Sequence, residues 1–233
     1  MVMVSRLLIG LAVAWLAANS AAARADDTQL WGSLIAQGPI APGAGAKPMV
    51  WLELQPRFDE NISRRGELIV RPGFGVRLAP DLLVLAGYHY QNSARDGAAS
   101  VTEHRMWQQL SLPLIRDPER IILLTRLRLE QRIVNGSQDL GWRARAMLRL
   151  QLPLGGRGTA GPLFWSEALV GLNDTDWGQR SRVQQVRAFG GALVPLDRRL
   201  NFEAGYMAQI QRGPGADRVN HVANLTLNYR LGD

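Results

Sequence analysis

The stretch RLRLEQRIVNGSQDLGWRARAMLRLQL, Arg126 to Leu152, alternates with a period of two. One set of positions holds Leu127, Leu129, Trp142, Ala144, Ala146, Leu148 and Leu150. The other holds Arg126, Arg128, Glu130, Arg132, Arg143, Arg145, Met147 and Arg149. Successive side chains of a strand point to opposite faces, so this pattern makes a ribbon with one apolar and one charged face. The alternation recurs at residues 49–58, 66–78, 82–91, 101–113, 120–133, 140–152, 163–173, 182–195, 199–211 and 219–230. Most of these runs reach or exceed the roughly 9–11 residues with which a tilted strand crosses a bilayer. Strands of soluble sandwiches are shorter, about five or six residues in the commonest case. The expected fold is all-β: an antiparallel up-and-down β-barrel of transmembrane type with ten strands, twelve being the competing count.

Composition narrows the chemistry. The formal charge is +7, yet Lys47 is the only lysine among 27 basic residues. Solvated basic surfaces use both cations. Arginine alone suits fixed, bidentate pairing with carboxylates. The arginines alternate with leucines in strands and no aromatic stacking platform accompanies them, so a nucleic-acid partner is not expected. With no cysteine, disulfides and thiolate metal sites are excluded. No run of eighteen apolar residues follows the N-terminal segment, which argues against a helical membrane protein.

The chain opens MVMVSRLLIGLAVAWLAANSAAARADD. Arg6 precedes an apolar stretch from Leu7 to Ala18, and Ala23-Arg24-Ala25 has the small-x-small form of a cleavage site. This layout predicts a secretory signal peptide over residues 1–25. Its removal takes Arg6 and Arg24 with it and lowers the formal charge from +7 to +5. Residues 26–48 are expected to form a periplasmic or lumen-packed N-terminal arm. TQLWGSLIAQ within it reads as a possible eleventh strand, but an odd count leaves one terminus on the wrong side for a bacterial single-chain barrel. The barrel is then assigned to residues 49–233.

The connections point to a membrane. LAPD (78–81), IRDPE (115–119) and PLDRR (195–199) are tight, with GGRGTAG (155–161) longer. The alternate connections, 59–66, 92–100, 135–141, 173–181 and 212–218, are polar and mostly longer. Bacterial outer-membrane barrels have short periplasmic turns and longer external loops, so the expected location is the outer membrane, with outer-membrane lipid as the partner.

The apolar sets are then expected outside, among them Leu68, Val70 and Phe74, Ile121 to Ile133, and Leu200 to Ile210 at alternate positions. Tyr88, Tyr90, Trp142, Phe164, Tyr206 and Tyr229 would anchor the interfaces. The charged sets are expected inside, with Glu67, Arg77, His89, Arg149 and Arg230 in the same phase. A ten-strand barrel is near the size at which side chains fill the interior. Buried charges cost several kcal/mol each, of order, unless paired. A lumen charge network is therefore predicted from Glu53, Arg57, Arg71, Glu103, Arg105, Arg126, Arg128, Glu130, Arg132, Arg143, Arg145, Glu167, Arg187 and Glu203.

The segments GYHY (87–90), EHRMWQQL (103–110), RLRLEQR (126–132), RAR (143–145), LNDTDWG (172–178), QQVR (184–187), GYMAQ (205–209) and NHVANLTL (220–227) together resemble, in order, the bacterial family of domain of unknown function 2490. The resemblance implies an outer-membrane-type β-barrel and carries no activity with it.

Other constellations are weaker. Catalysis would need a Ser–His pair oriented by a carboxylate or amide, but Glu103 and His104 are neighbours and point to opposite faces, and Ser111 lies too far along the strand. Interfacial or lumen hydrogen bonding is the plainer role for His89, His104 and His221. NDTDWG faintly resembles a calcium loop, with Asp174, Asp176 and Gly178, but Gln184 stands where the bidentate glutamate belongs; an Asx-rich turn is the plainer reading. RPGFG (71–75) lacks the following helix of a phosphate cradle, and its glycines suit a barrel bend or room for a large lumen neighbour. No cofactor or metal is called for. Four functions remain open: an envelope-associated structural barrel with a filled lumen; a narrow anion-selective channel or solute-binding barrel taking a small anionic solute; an outer-membrane lipid-modifying enzyme; and a soluble periplasmic lipocalin-like binder. Catalysis is not the leading one, and the oligomeric state is not legible.

Overall fold

A computed structural model describes residues 24–40, 46–79, 82–95, 97–213 and 216–232. Most of the segment read as a leader, residues 1–23, lies outside the described residues. Eleven strands close into one barrel: β1 (Arg24–Pro39), β2 (Lys47–Asp59), β3 (Arg64–Ala79), β4 (Leu82–Arg95), β5 (Ala98–Asp117), β6 (Ile121–Val134), β7 (Gly141–Gln151), β8 (Gly161–Gly171), β9 (Val183–Pro195), β10 (Leu200–Gln211) and β11 (Arg218–Arg230). Each pairs antiparallel with its sequence neighbours, and β1 closes the ring against β11 in parallel.

The count corrects the expectation of ten or twelve. The ten strands read from the sequence are β2 to β11, and the eleventh comes from the region assigned to an arm. In β1, Gln29, Trp31 and Ser33 point inward while Leu30 and Leu34 point outward, the same two-faced pattern as elsewhere. Without it, β11 and β2 would each expose an unpaired edge. An odd count makes the closing pair parallel: Gln29 lies beside Val222 and Leu34 beside Leu227. The start of β1 and the end of β11 therefore sit at opposite rims, here called the amino and carboxyl rims.

The connections are less lopsided than expected. Those at the amino rim cover 60–63, 96–97, 135–140, 172–182 and 212–217; those at the carboxyl rim cover 40–46, 80–81, 118–120, 152–160 and 196–199. Strands β4 and β5 run on through residues read as a loop, leaving only 96–97 between them.

The faces divide as the alternation predicts. Leu52, Phe74, Met106, Leu127, Leu148, Phe164, Tyr206 and Leu225 are among the exposed large apolar residues, whereas Glu53, Arg71, Arg105, Glu130, Arg145 and Glu167 are buried inside. The interior is not wholly charged. One apolar cluster joins Trp31, Leu163, Phe189, Leu193, Met207 and Val222, and a second joins Met49, Trp51, Leu85 and Trp107. Each cluster has an aromatic ring against a cross-strand glycine pair. Gly73 pairs with Gly87, and a Cβ on either would come within 2.5–2.6 Å of the Trp107 indole. Gly191 pairs with Gly205, and a Cβ on either would meet the Phe189 ring at 2.7 Å. Of the RPGFG glycines, Gly73 thus makes room for a lumen neighbour, Trp107, whereas a Cβ on Gly75 would meet the Val84 backbone.

Candidate functional site

The fourteen residues singled out in the sequence all fall on inward positions of β2 to β10. Twelve are buried, and Arg57 and Arg126 are half-buried. Register explains how they meet. Glu130 of β6 stands opposite Arg143 of β7, Arg128 opposite Arg145, and Glu167 of β8 opposite Arg187 of β9. Arginine's planar fork of five donors grips carboxylates on two strands at once, a geometry that lysine's compact ammonium lacks.

The centre is built on two carboxylates. Glu130 accepts from Arg143 Nε at 2.8 Å and Arg145 Nη1 at 2.8 Å. Arg145 turns its other nitrogens to Glu167, at 3.0 and 2.8 Å, and Arg126 joins Glu167 at 2.8 Å. Arg187 approaches Glu167 less closely, at 3.4 Å. Toward the amino rim, Glu103 takes a bidentate pair from Arg105 at 2.7 Å and a second pair from Arg132. Arg71 pairs with Glu53, Arg57 with Glu67, and Arg149 clamps Glu203 at 2.9 and 2.7 Å.

Amides that the sequence reading passed over join these pairs. Gln91 accepts from Arg105 at 2.6 Å and donates to Glu67 at 3.0 Å. Gln109 accepts from Arg128 Nε at 3.0 Å. His89 accepts from Arg71 Nε at 3.0 Å and bonds Gln91 at 3.3 Å. Glu67 and Arg149 were read as inward but outside the predicted network, and both are ion-paired. The aromatic rings take up further cations: Trp31 lies under Arg57 (3.6 Å) and Arg187 (5.0 Å), and Trp107 under Arg128 (4.7 Å).

The pairing leaves a surplus. Among the described residues, ten arginines share six glutamates in the inward pairs. Arg128 meets its nearest carboxylate, Glu130, only at 4.0 Å. Its Nη1 and the Nε of Arg187 are buried without a hydrogen-bond acceptor, as is the Trp51 Nε1 donor.

Two cavities flank this layer. The one toward the amino rim has a volume of about 360 Å³ and the one toward the carboxyl rim about 620 Å³. Trp31, Arg57, Arg71, Arg145 and Arg187 line both and form the partition between them.

The β8–β9 loop at the amino rim docks on the network. Gln179, 3 % exposed, accepts from Arg132 Nη1 at 2.9 Å and donates to the Trp142 carbonyl at 3.0 Å. Trp177 lies 4.7 Å from the Arg132 guanidinium and fits beside Gly141, where a Cβ would come within 2.5 Å of its ring. The carboxylates once compared with a calcium loop serve the loops themselves. Asp174 accepts from the Ser181 backbone, and Asp176 accepts from the Ser137 hydroxyl and the Gln138 N–H. Those two bonds, the backbone one first, hold the Asp176 carboxyl below its ordinary range. Among the described residues no group of three or more His, Asp or Glu could hold a metal ion.

The outward histidines pair with tyrosines: His104 Nδ1 with Tyr88 Oη, and His221 Nδ1 with Tyr206 Oη at 2.7 Å.

Against known proteins, the family model described as "Protein of unknown function (DUF2490)" matches residues 28–220. An uncharacterised protein of Methylorubrum extorquens is 32 % identical over 231 residues, covering 96 % of each chain. No solved structure matches.

Proposed function

The chain belongs to the DUF2490 family of proteins of unknown function, and from its geometry we propose that it is an outer-membrane β-barrel of a bacterial envelope whose lumen is closed by the arginine–glutamate partition. The observation that carries this reading is the direction of the two faces. Phe74 is 70 % exposed and Tyr206 50 %, while Glu130 is 1 % exposed. Contiguous exposed apolar surface on that scale needs a non-aqueous neighbour, and a lipocalin-like binder needs the reverse arrangement. The Tyr–His pairs, with apolar bodies and polar tips, suit the headgroup layer. The leader-like segment supports export. The odd strand count departs from the even counts of bacterial single-chain barrels, although odd barrels do occur in membranes.

The test is fractionation of cells expressing the full chain, with unboiled and boiled samples of each fraction compared by gel. A heat-modifiable species in outer membranes, electrically silent in planar bilayers, is the expected result. Soluble periplasmic protein overturns the location, and discrete conductance steps overturn the closed lumen. A second reading, a barrel that binds an anionic solute, is favoured by the arginine surplus.

A further inference from the structure

We infer that the cavity at the carboxyl rim is a binding site for an amphipathic anion, an apolar chain or ring system bearing a carboxylate or phosphate. The inference deepens the solute-binding reading. It rests on the filled lumen and not on the compartment, so failure in fractionation leaves it standing.

Charge is the first argument. Among the described residues, eight arginines and three glutamates line this cavity, and no aspartate does. Arg77 lies on its wall half-buried and has neither hydrogen bond nor ion pair among the described residues. Six of the eight arginines are ion-paired with glutamates, so Arg77 is the cation left for a bound anion to engage.

The shape of the lining is the second. The β4–β6 wall presents Leu83, Leu112, Pro113, Ile122 and Leu124. Across the barrel, β10 and β11 present Asn201, Asn224, Thr226 and Asn228. A purely inorganic anion has no use for the first wall, and a purely apolar guest has none for the second. The third argument is Trp51, 8 % exposed, which lines the cavity and whose buried indole N–H has no hydrogen-bond partner. The volume, about 620 Å³, lies within the roughly 300–1,000 Å³ of small-molecule sites. Leu82, Ile122 and Asn201 line it from the first residues or so of their strands, so it opens at the carboxyl rim.

The probe is 8-bromooctanoate, whose bromine quenches indole fluorescence, titrated into the folded barrel in nanodiscs with 8-bromooctanamide as the uncharged counterpart. Saturable quenching by the anion, at least tenfold weaker for the amide and weakened about fivefold or more by Arg77→Gln, is expected. Trp51→Phe should remove part of the saturable amplitude without abolishing folding, which the gel shift checks. A second arm uses nanodiscs of brominated phosphatidylglycerol without octanoate. Trp51-dependent quenching only in the first arm assigns a free amphiphile, and only in the second a bilayer lipid. Non-saturable quenching, equal for acid and amide and unchanged in Arg77→Gln, overturns the proposal. So does displacement of the probe by inorganic phosphate at equal concentration, since the apolar wall then contributes nothing.

Discussion

Gln179 accepts a 2.9 Å hydrogen bond from Arg132 although the two lie 47 residues apart and on different kinds of element, one in a loop and one in β6. The bond is buried and charge-assisted, a class worth about 1.5–3 kcal/mol. Gln179→Ala should therefore lower unfolding stability by about that amount, and free the β8–β9 loop. Limited proteolysis reads the second effect: cleavage within 172–182 should accelerate while the barrel core stays resistant.

Removing one central carboxylate should cost more. Glu130→Ala strands Arg143 in the lumen and leaves Arg145 to Glu167 alone, and breaking a buried pair from one side typically costs about 3–5 kcal/mol. Asp174→Ala, which ends a 3.7 Å pair with Arg180 and an exposed bond from the Ser181 N–H, should cost less, about 1 kcal/mol. The temperature at which the folded band disappears on a gel separates the two.

The glycine pair under Trp107 gives a steric test. Gly73→Ala brings a Cβ against the far edge of the indole, and overpacking of this sort costs about 1–3 kcal/mol. Adding Trp107→Leu should recover part of the loss, so the double variant is less damaged than the sum of the singles. Gly87→Ala should not be recovered, because its Cβ would also meet the Pro72 carbonyl oxygen at 2.3 Å. Denaturant unfolding of the three single and two double variants decides.

Glu60, Asn61 and Ile62, in the β2–β3 connection, all have left-handed backbone, with φ of 50°, 55° and 67°. The N–H of Asn61 is held by Asp27 at 3.1 Å. A β-branched side chain is the least suited to that region, at a cost of about 1–2 kcal/mol. Ile62 is 42 % exposed and contributes little packing. Ile62→Gly should thus stabilise the barrel slightly, by up to about 1 kcal/mol after the added chain entropy of glycine, which a rise in thermal midpoint would show.

Acid should loosen the amino rim. The folded Asp176 carboxyl titrates below its ordinary value of 3.8, so its contribution is complete above that value and fades as pH falls through the depressed one. Hydrogen exchange at the Gln138 amide should stay slow down to about pH 4 and quicken only in stronger acid. Asp176→Asn should show fast exchange throughout.

Much of this was legible because a two-residue period assigns faces without any knowledge of the fold. Arg143, Arg145 and Glu130 could be placed inside from alternation alone. Strand β1 was legible too, in Gln29, Trp31 and Ser33 against Leu30 and Leu34, but a rule about even strand numbers outweighed the pattern. Trp31, Trp51 and Trp107 were not singled out as lumen residues, since the period says which side a residue takes and not what it packs on. Gln179 carries no local signal: its burial depends on where β8 and β9 place their connecting loop.

The parallel seam also sets the order of assembly. Gln29 finds Val222 at a separation of 193 positions in sequence, and every other strand pair joins neighbours along the chain. Hairpins can accumulate one by one, but the ring closes only when the last-made strand meets the first. Until then the growing sheet carries two open edges. A nascent or truncated chain ending before Arg218 keeps both, and is a candidate for pairing with a stranger's strand before its own.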